Sequence, residues 1–327
     1  MTTDRNHDTA VVLWSALAIV AGAALAASLP WLGVSSYWRT LVYYAAYYLA
    51  LGQAWNLMSG LTGYVSFAHG ALAGIGAYAV VLALNAELPM PVALAIAAAA
   101  SGAASLLIGA TSLRLRGTSF TFATLFLQAL ILLVVRKLPF TGGPGGIVLE
   151  EIFPLWLPHV LMAGLAGAAT LTVLVFRRTR TGLRVRAMRD DETAADAIGV
   201  DATRVKIALF CASAAIAGLT GAVHGIFASS LFPDVVFSVD LSIIALAVPL
   251  IGGAGTALGP VLGAIIYVGL REFLQVLAPN LHLAIVGAVL LGVILFMRDG
   301  IAPTLMRALG MRGPRPRDSG VGREAAA

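Results

Sequence analysis

The sequence predicts an all-α protein: a polytopic transmembrane helix bundle of about ten spans, with both termini on the cytoplasmic side. Three observations lead there. Of 327 residues, 59% are hydrophobic and 11% are charged, whereas soluble domains carry roughly 25% charged residues. The mean hydropathy of +0.91 excludes a disordered chain, which would be poor in apolar residues. Apolar runs close to the roughly 20 residues needed to cross a bilayer recur along the whole chain.

The first run, Thr9–Leu29, follows a short N-terminal tail (1–8) and stops before Pro30. It is too long, and with only Arg5 in front too weakly basic, to read as a cleaved signal peptide. Leu41–Ser59, Gly70–Leu84, Pro91–Leu113, Thr118–Val135 and Leu157–Phe176 follow. After a polar stretch the pattern resumes with Lys206–Ser229, Leu241–Ile251, Pro260–Leu274 and Leu283–Met297. This gives ten crossings if the two short segments flanking Gly252–Gly259 each span, and eight or nine if that Gly-rich break is re-entrant. The membrane domain is thus 9–297, and 298–327 is a basic cytoplasmic tail expected to be disordered at its end.

Basic residues favour the cytoplasmic side. With ten crossings and the N-terminus inside, 17 Lys and Arg fall on cytoplasmic segments and 4 on the opposite side (Arg39, Arg136, Lys137 and Arg271). The net charge of +5 therefore marks sidedness and not a nucleic-acid groove. A single cysteine, Cys211, excludes an intrachain disulfide and a thiol metal cluster. Neither lysine, Lys137 or Lys206, follows a glycine, so the chain lacks the Gly-Lys pair of a phosphate-binding loop. Ionisable residues within spans are also few: His69 and His224 are the only ones well inside apolar sequence. Such residues are what an ion-coupled carrier needs.

The glycines carry a repeat. Gly63, Gly70, Gly74 and Tyr78 have the same spacing as Gly252, Gly259, Gly263 and Tyr267, 189 residues later. Paired Gly-interrupted segments point to a transport pathway; equally, they suit close helix packing. The one large polar segment, 177–206, has start and stop signals for two short helices. Asp190 or Asp191 can cap a helix over Glu192–Ile198, Gly199 supplies its left-handed end, and Asp201 or Thr203 caps the next span. Two such helices would form a rigid knob projecting from the cytoplasmic face.

Glu192-Thr-Ala194-Ala195-Asp-Ala-Ile-Gly199 resembles the cytoplasmic "EAA" loop of bacterial ABC-importer permeases. The surrounding TGLRVRAMRDDETAADAIGVDATRVK is similar to the loop of the LivM-type branched-chain amino acid permeases. So are NLMSGLTGYVSFAHGALAGIGAY (56–78), LRLRGTSFTFAT (113–124), TGGPGGI (141–147) and IGGAGTALGP (251–260), in order across about residues 40–298. Phe67-Ala68-His69 resembles the sister permease equally, and Gly145 stands where Asn is common. The resemblance implies half of a translocation channel in the bacterial inner membrane, with no cofactor of its own. Its partners would be two ABC ATPase subunits holding ATP-Mg, a sister permease and a periplasmic or extracellular substrate-binding protein. It also implies that Glu192, Ala194, Ala195 and Gly199 form the ATPase-docking helix, with Arg184, Arg186 and Arg189 adding complementary charge. The pathway candidates are Asn56, Gly63, Ser66, His69, Gly70, Gln128, Gly252, Gly255 and Gly259; for the polar ones the alternative role is interhelical hydrogen bonding. Rival readings are an importer of urea, short amides or another small polar solute, an ion-coupled carrier acting alone, and a membrane scaffold.

Overall fold

The computed structural model describes residues 2–113, 115, 117–197, 199, 201–277 and 287–288. Among these, seven helical stretches are long and apolar enough to cross a membrane. Apart from 287–288, the expected tenth span, Leu283–Met297, lies outside the described residues, as does the tail 298–327.

Helix α1 (Thr2–Ser28) ends in a 3-10 turn at Leu29–Trp31, where proline halts the α-helix. It lies at the rim of the bundle, its apolar stretch exposed, and touches α6 (Trp156–Phe176) through small residues. A Cβ on Gly167 of α6 would come within 2.9 Å of the Ala23 methyl. Helix α2 (Ser36–Trp55) is less apolar because tyrosines crowd its first half. It loosens into a π-helical turn at Asn56–Gly60, and the chain then runs without helix from Gly63 to Ala68. Helix α3 (His69–Asn85) resumes it.

Helices α4 (Met90–Ser112) and α5 (Thr118–Lys137) follow. A loop of two 3-10 turns then leads to β1 (Ile147–Val148), which pairs antiparallel with β2 (Ser230–Leu231). Between β1 and β2 lie α6, the short helices α7 (Arg180–Asp190) and α8 (Glu192–Ala197), and α9 (Ala202–Ala228). After β2 come α10 (Pro233–Val236), α11 (Val239–Gly252) and α12 (Gly259–Leu277). The β-pair therefore marks one end of the bundle, and the α7–α8 hairpin, between the end of α6 and the start of α9, marks the other.

Small residues set the closest crossings, as expected where lipid removes the hydrophobic drive between helices. A Cβ at Gly76 would collide with the backbone of Gly218, and one at Gly221 with that of Ala73, so α3 and α9 meet backbone to backbone. The α11–α12 hairpin closes similarly: Gly252 lies on the Gly259 carbonyl and Gly263 on that of Val248. The repeat thus describes two helix–break–helix units with tightly packed glycines.

Candidate functional site

The site begins where α2 gives way. Non-helical backbone in a membrane protein must find internal partners or face water, and the segment 63–68 finds most of its partners on other elements. Trp55 Nε1 donates to the Ser66 carbonyl (2.9 Å) and the Ser66 amide donates to Ser59 Oγ (3.2 Å). From α5, Thr121 Oγ1 donates to the Val65 carbonyl (3.0 Å), and Thr124 Oγ1 accepts the Phe67 amide (3.1 Å). From α11, Ser242 Oγ accepts the Gly70 amide (2.9 Å), capping α3 from a different helix. The single Ser242 hydroxyl proton lies between the Phe67 carbonyl and Gln128 Oε1. Gln128 Nε2 donates to the Ser238 carbonyl (2.8 Å). One side of the segment is open, with Gly63 and Val65 exposed.

The second break, 253–258, docks against the π turn of the first unit. Asn56 is wholly buried and reads it twice: Nδ2 donates to the Thr256 carbonyl (2.7 Å) and Oδ1 accepts the Gly255 amide (2.7 Å). Gln53 Nε2 donates to the Ala257 carbonyl (2.7 Å). A β-carbon on Gly60 would strike Asn56 Oδ1 and approach the Gly255 amide to 2.9 Å, so only glycine admits this contact. Gly63 and Gly255 adopt φ of +83° and +78°, the left-handed region in which glycine is at ease.

The α7–α8 hairpin joins at this end. Thr179 caps α7, Asp191 caps α8 by accepting the Ala194 amide (3.0 Å), and Asp201 caps α9 by accepting the Arg204 amide (3.0 Å). Gly199 has the expected left-handed φ of +83°. The hairpin does not project as a knob: Val185, Met188 and Ala195 enter the same core as Trp55 and Leu61. Arg189 Nη1 donates to the Gly60 carbonyl (2.6 Å), and its side chain lies over Gly63. Burial pulls the Arg177 guanidinium below the usual arginine range, and the charges of Arg186, Arg178 and Arg189 add to the shift.

Residues 37–294 match the family model described as the branched-chain amino acid transport system / permease component. The chain belongs to this family. It is a multi-pass membrane protein of the permease class. Over 265 residues it is 27% identical to the high-affinity branched-chain amino acid transport system permease protein LivM of Salmonella typhimurium, covering 70% of this chain and 61% of that one. The Escherichia coli protein of the same name is 28% identical over 262 residues, with the same coverage. A probable branched-chain amino acid transport permease protein LivM of Methanocaldococcus jannaschii is 26% identical over 165 residues, 48% of each chain. The chain thus spans about 61% of the length of the first two relatives. No solved structure matches it significantly.

Of the pathway candidates, Ser66, Gly70 and Gln128 meet around the first break, and Asn56 joins Gly60 to Gly255. His69 turns away from the break: its Nε2 lies 3.3 Å from Ser213 Oγ on α9, and its ring meets Phe210 edge-on. Gly252 and Gly259 pack against each other within the α11–α12 hairpin. Of the docking candidates, Ala194, Gly199, Arg184 and Arg186 are exposed. Ala195 is 1% exposed and packed into the core. Glu192 faces inward, to Lys206 and Tyr64. Sequence reasoning passed over Ser242, Thr124 and Tyr64. Ser242 is the only hydroxyl in the apolar run 241–251, and that isolation was the available signal.

Proposed function

We propose that the chain is one permease of an ATP-driven importer, forming half of the pathway for branched-chain or related amino acids. The observation that supports this most is the segment 63–68: backbone held by side chains of three helices, with one face open. Open, non-helical backbone cannot border lipid hydrocarbon, and in this reading a second permease across a water-filled path covers it. Ser66, Gln128 and Ser242, all buried, hold the segment from behind that face; Asn56 and the glycines Gly63, Gly70 and Gly255 give the breaks their shape.

In this reading the chain has about ten spans, N-in and C-in, in the inner membrane. The hairpin end is cytoplasmic, where two ATPase subunits carrying ATP-Mg engage the exposed Ala194, Gly199, Arg184 and Arg186. A substrate-binding protein delivers solute at the β end. In this reading ATP-Mg is held by the partner ATPases and not by this chain. The relatives' names support branched-chain amino acids as cargo.

The test is uptake of leucine, isoleucine and valine by proteoliposomes holding the full assembly, with ATP inside and binding protein outside. Uptake that needs both supports the reading. Uptake by the chain without ATPases, driven by a proton or sodium gradient, refutes it.

A further inference from the structure

A second set of contacts ties the hairpin to the first break. Glu192 opens α8, Lys206 sits in the second turn of α9, and Tyr64 is the second residue of the break. Lys206 Nζ donates to Glu192 Oε1 (2.6 Å) and to the Tyr64 hydroxyl (2.8 Å), and that hydroxyl donates to Glu192 Oε2 (2.7 Å). The three bonds close a ring in which each donated proton has its own acceptor. The ammonium also lies 4.1 Å from the centroid of the Tyr64 ring, so the ring face adds a cation–π attraction.

The Lys206 side chain is 3% exposed and that of Glu192 25%. Screening is therefore weak, and removing one partner would leave a poorly hydrated charge. Arg189, in the last turn of α7, holds the Gly60 carbonyl on the other side of Gly63. The hairpin thus grips the break at residues 60 and 64, and the glycine that can swivel lies between the grips.

We propose that the Tyr64–Glu192–Lys206 ring, with Arg189 on Gly60, is the strap that transmits hairpin movement to the first break. Glu192 then serves as a positioning residue acting inward on the break, and the outward contact with an ATPase is left to exposed neighbours such as Ala194. This rests on the importer reading above. Any displacement of α8 pulls Tyr64 directly through its bond to Glu192 and indirectly through Lys206, and Tyr64 moves the backbone by which Val65 and Phe67 bond α5 and α11. Lysine suits the post: its three donors reach Glu192 and Tyr64 from a narrow stem, where a planar guanidinium would need more room.

The test uses the complete assembly in proteoliposomes and reads solute moved per ATP hydrolysed, together with ATPase co-purification. Lys206→Met should lower the ratio about tenfold while the ATPases still co-purify, since losing one buried charge-assisted partner is of that size. The double variant Glu192→Lys with Lys206→Glu should recover the ratio to within about threefold, because the swapped pair restores the attraction. Tyr64→Phe, which keeps the ring and volume, should lower it roughly fivefold and serves if Lys206→Met does not fold. An unchanged ratio in Tyr64→Phe overturns the strap, as does loss of ATPase co-purification in Lys206→Met. If the wild-type assembly moves no solute, the importer reading fails, and the strap is judged on the chain alone in nanodiscs. There, Lys206→Met or Tyr64→Phe should speed amide exchange across 60–68 at least about fivefold and leave 72–85 unchanged; unchanged exchange in 60–68 overturns it.

Discussion

Ser242→Ala tests whether the first break is held from α11. Ser242 Oγ accepts the Gly70 amide and donates its one proton toward Phe67 and Gln128. Alanine leaves the Gly70 amide without an acceptor at the start of α3, a position with no side-chain cap of its own. It also takes a donor from either the Phe67 carbonyl or Gln128 Oε1. An orphaned buried polar group costs about 1–3 kcal/mol, so two would cost roughly 2–6. Water entering from the open side at Val65 offsets part of this, and about 2 kcal/mol is the expected net loss. That corresponds to about a 30-fold rise in local opening, read as faster amide exchange at residues 66–70 in nanodiscs. Exchange elsewhere on α3, at 74–85, should stay within about twofold, because the α3–α9 crossing does not involve Ser242. Ser242→Cys, with a weaker donor and acceptor of similar size, should fall between the two. Unchanged exchange at 66–70 in Ser242→Ala would refute the reasoning, since it would mean that other groups or water already satisfy the Gly70 amide.

Other substitutions probe separate joints. Asn56→Leu should destabilise the chain by about 2–4 kcal/mol, since both the Gly255 amide and the Thr256 carbonyl lose their partner; a thermal midpoint in detergent, unshifted from wild type, would show the breaks are joined otherwise. Gly221→Ala places a methyl on the Ala73 carbonyl and should cost about 1–3 kcal/mol or more, whereas Gly164→Ala, with open space around its Cβ, should leave the midpoint unchanged or slightly raised. Ala195→Leu should lower stability by about 1–3 kcal/mol because the side chain points into a filled core, while Ala194→Trp should leave the midpoint in place and reduce ATPase co-purification. Asp191→Ala removes the cap of α8 and should cost about 1 kcal/mol, seen as faster exchange confined to 192–197.

Much of this architecture was legible because the signals were local. The caps at Asp191 and Asp201 and the left-handed Gly199 follow from the preferences of single residues, and each stands where expected. The glycine repeat marked two interrupted helices because a β-carbon would collide with Ser242 at Gly70 and with the Gly259 carbonyl at Gly252. What escaped was direction. A six-residue helix such as α8 completes fewer than two turns, so its sequence does not say which side is buried, and Ala195 and Glu192 turned inward. His69 sits in the same motif as Ser66 and Gly70, yet the start of α3 rotates it toward α9. The Tyr64–Glu192–Lys206 ring joins residues up to 142 positions apart, and no periodicity in one sequence announces that.

The two breaks share a spacing but differ in how they are held, and this difference decides which can move. The second is a compact turn with much of its bonding internal. Gly253 donates to Pro249, Thr256 Oγ1 donates to the Gly253 carbonyl (2.8 Å), and the Gly259 amide donates to Thr256 Oγ1 (3.0 Å). Helices α11 and α12 can therefore shift as a pair without breaking those bonds. The first break borrows partners from α5 and α11 as well as from Trp55 and Ser59 of its own unit. A shift of α5 or α11 relative to α2 strains several of these bonds together, so the segment has to rearrange as a unit, the behaviour of a two-state element. The conserved quantity in such a rearrangement is the number of satisfied backbone groups, and the hydroxyls and amides of Ser66, Thr124, Gln128 and Ser242 are the groups able to exchange partners as it proceeds. A transport cycle acting on this chain would draw on that exchange, with the first break as the moving part and the α11–α12 turn as the rigid body against which Asn56 keeps it in register.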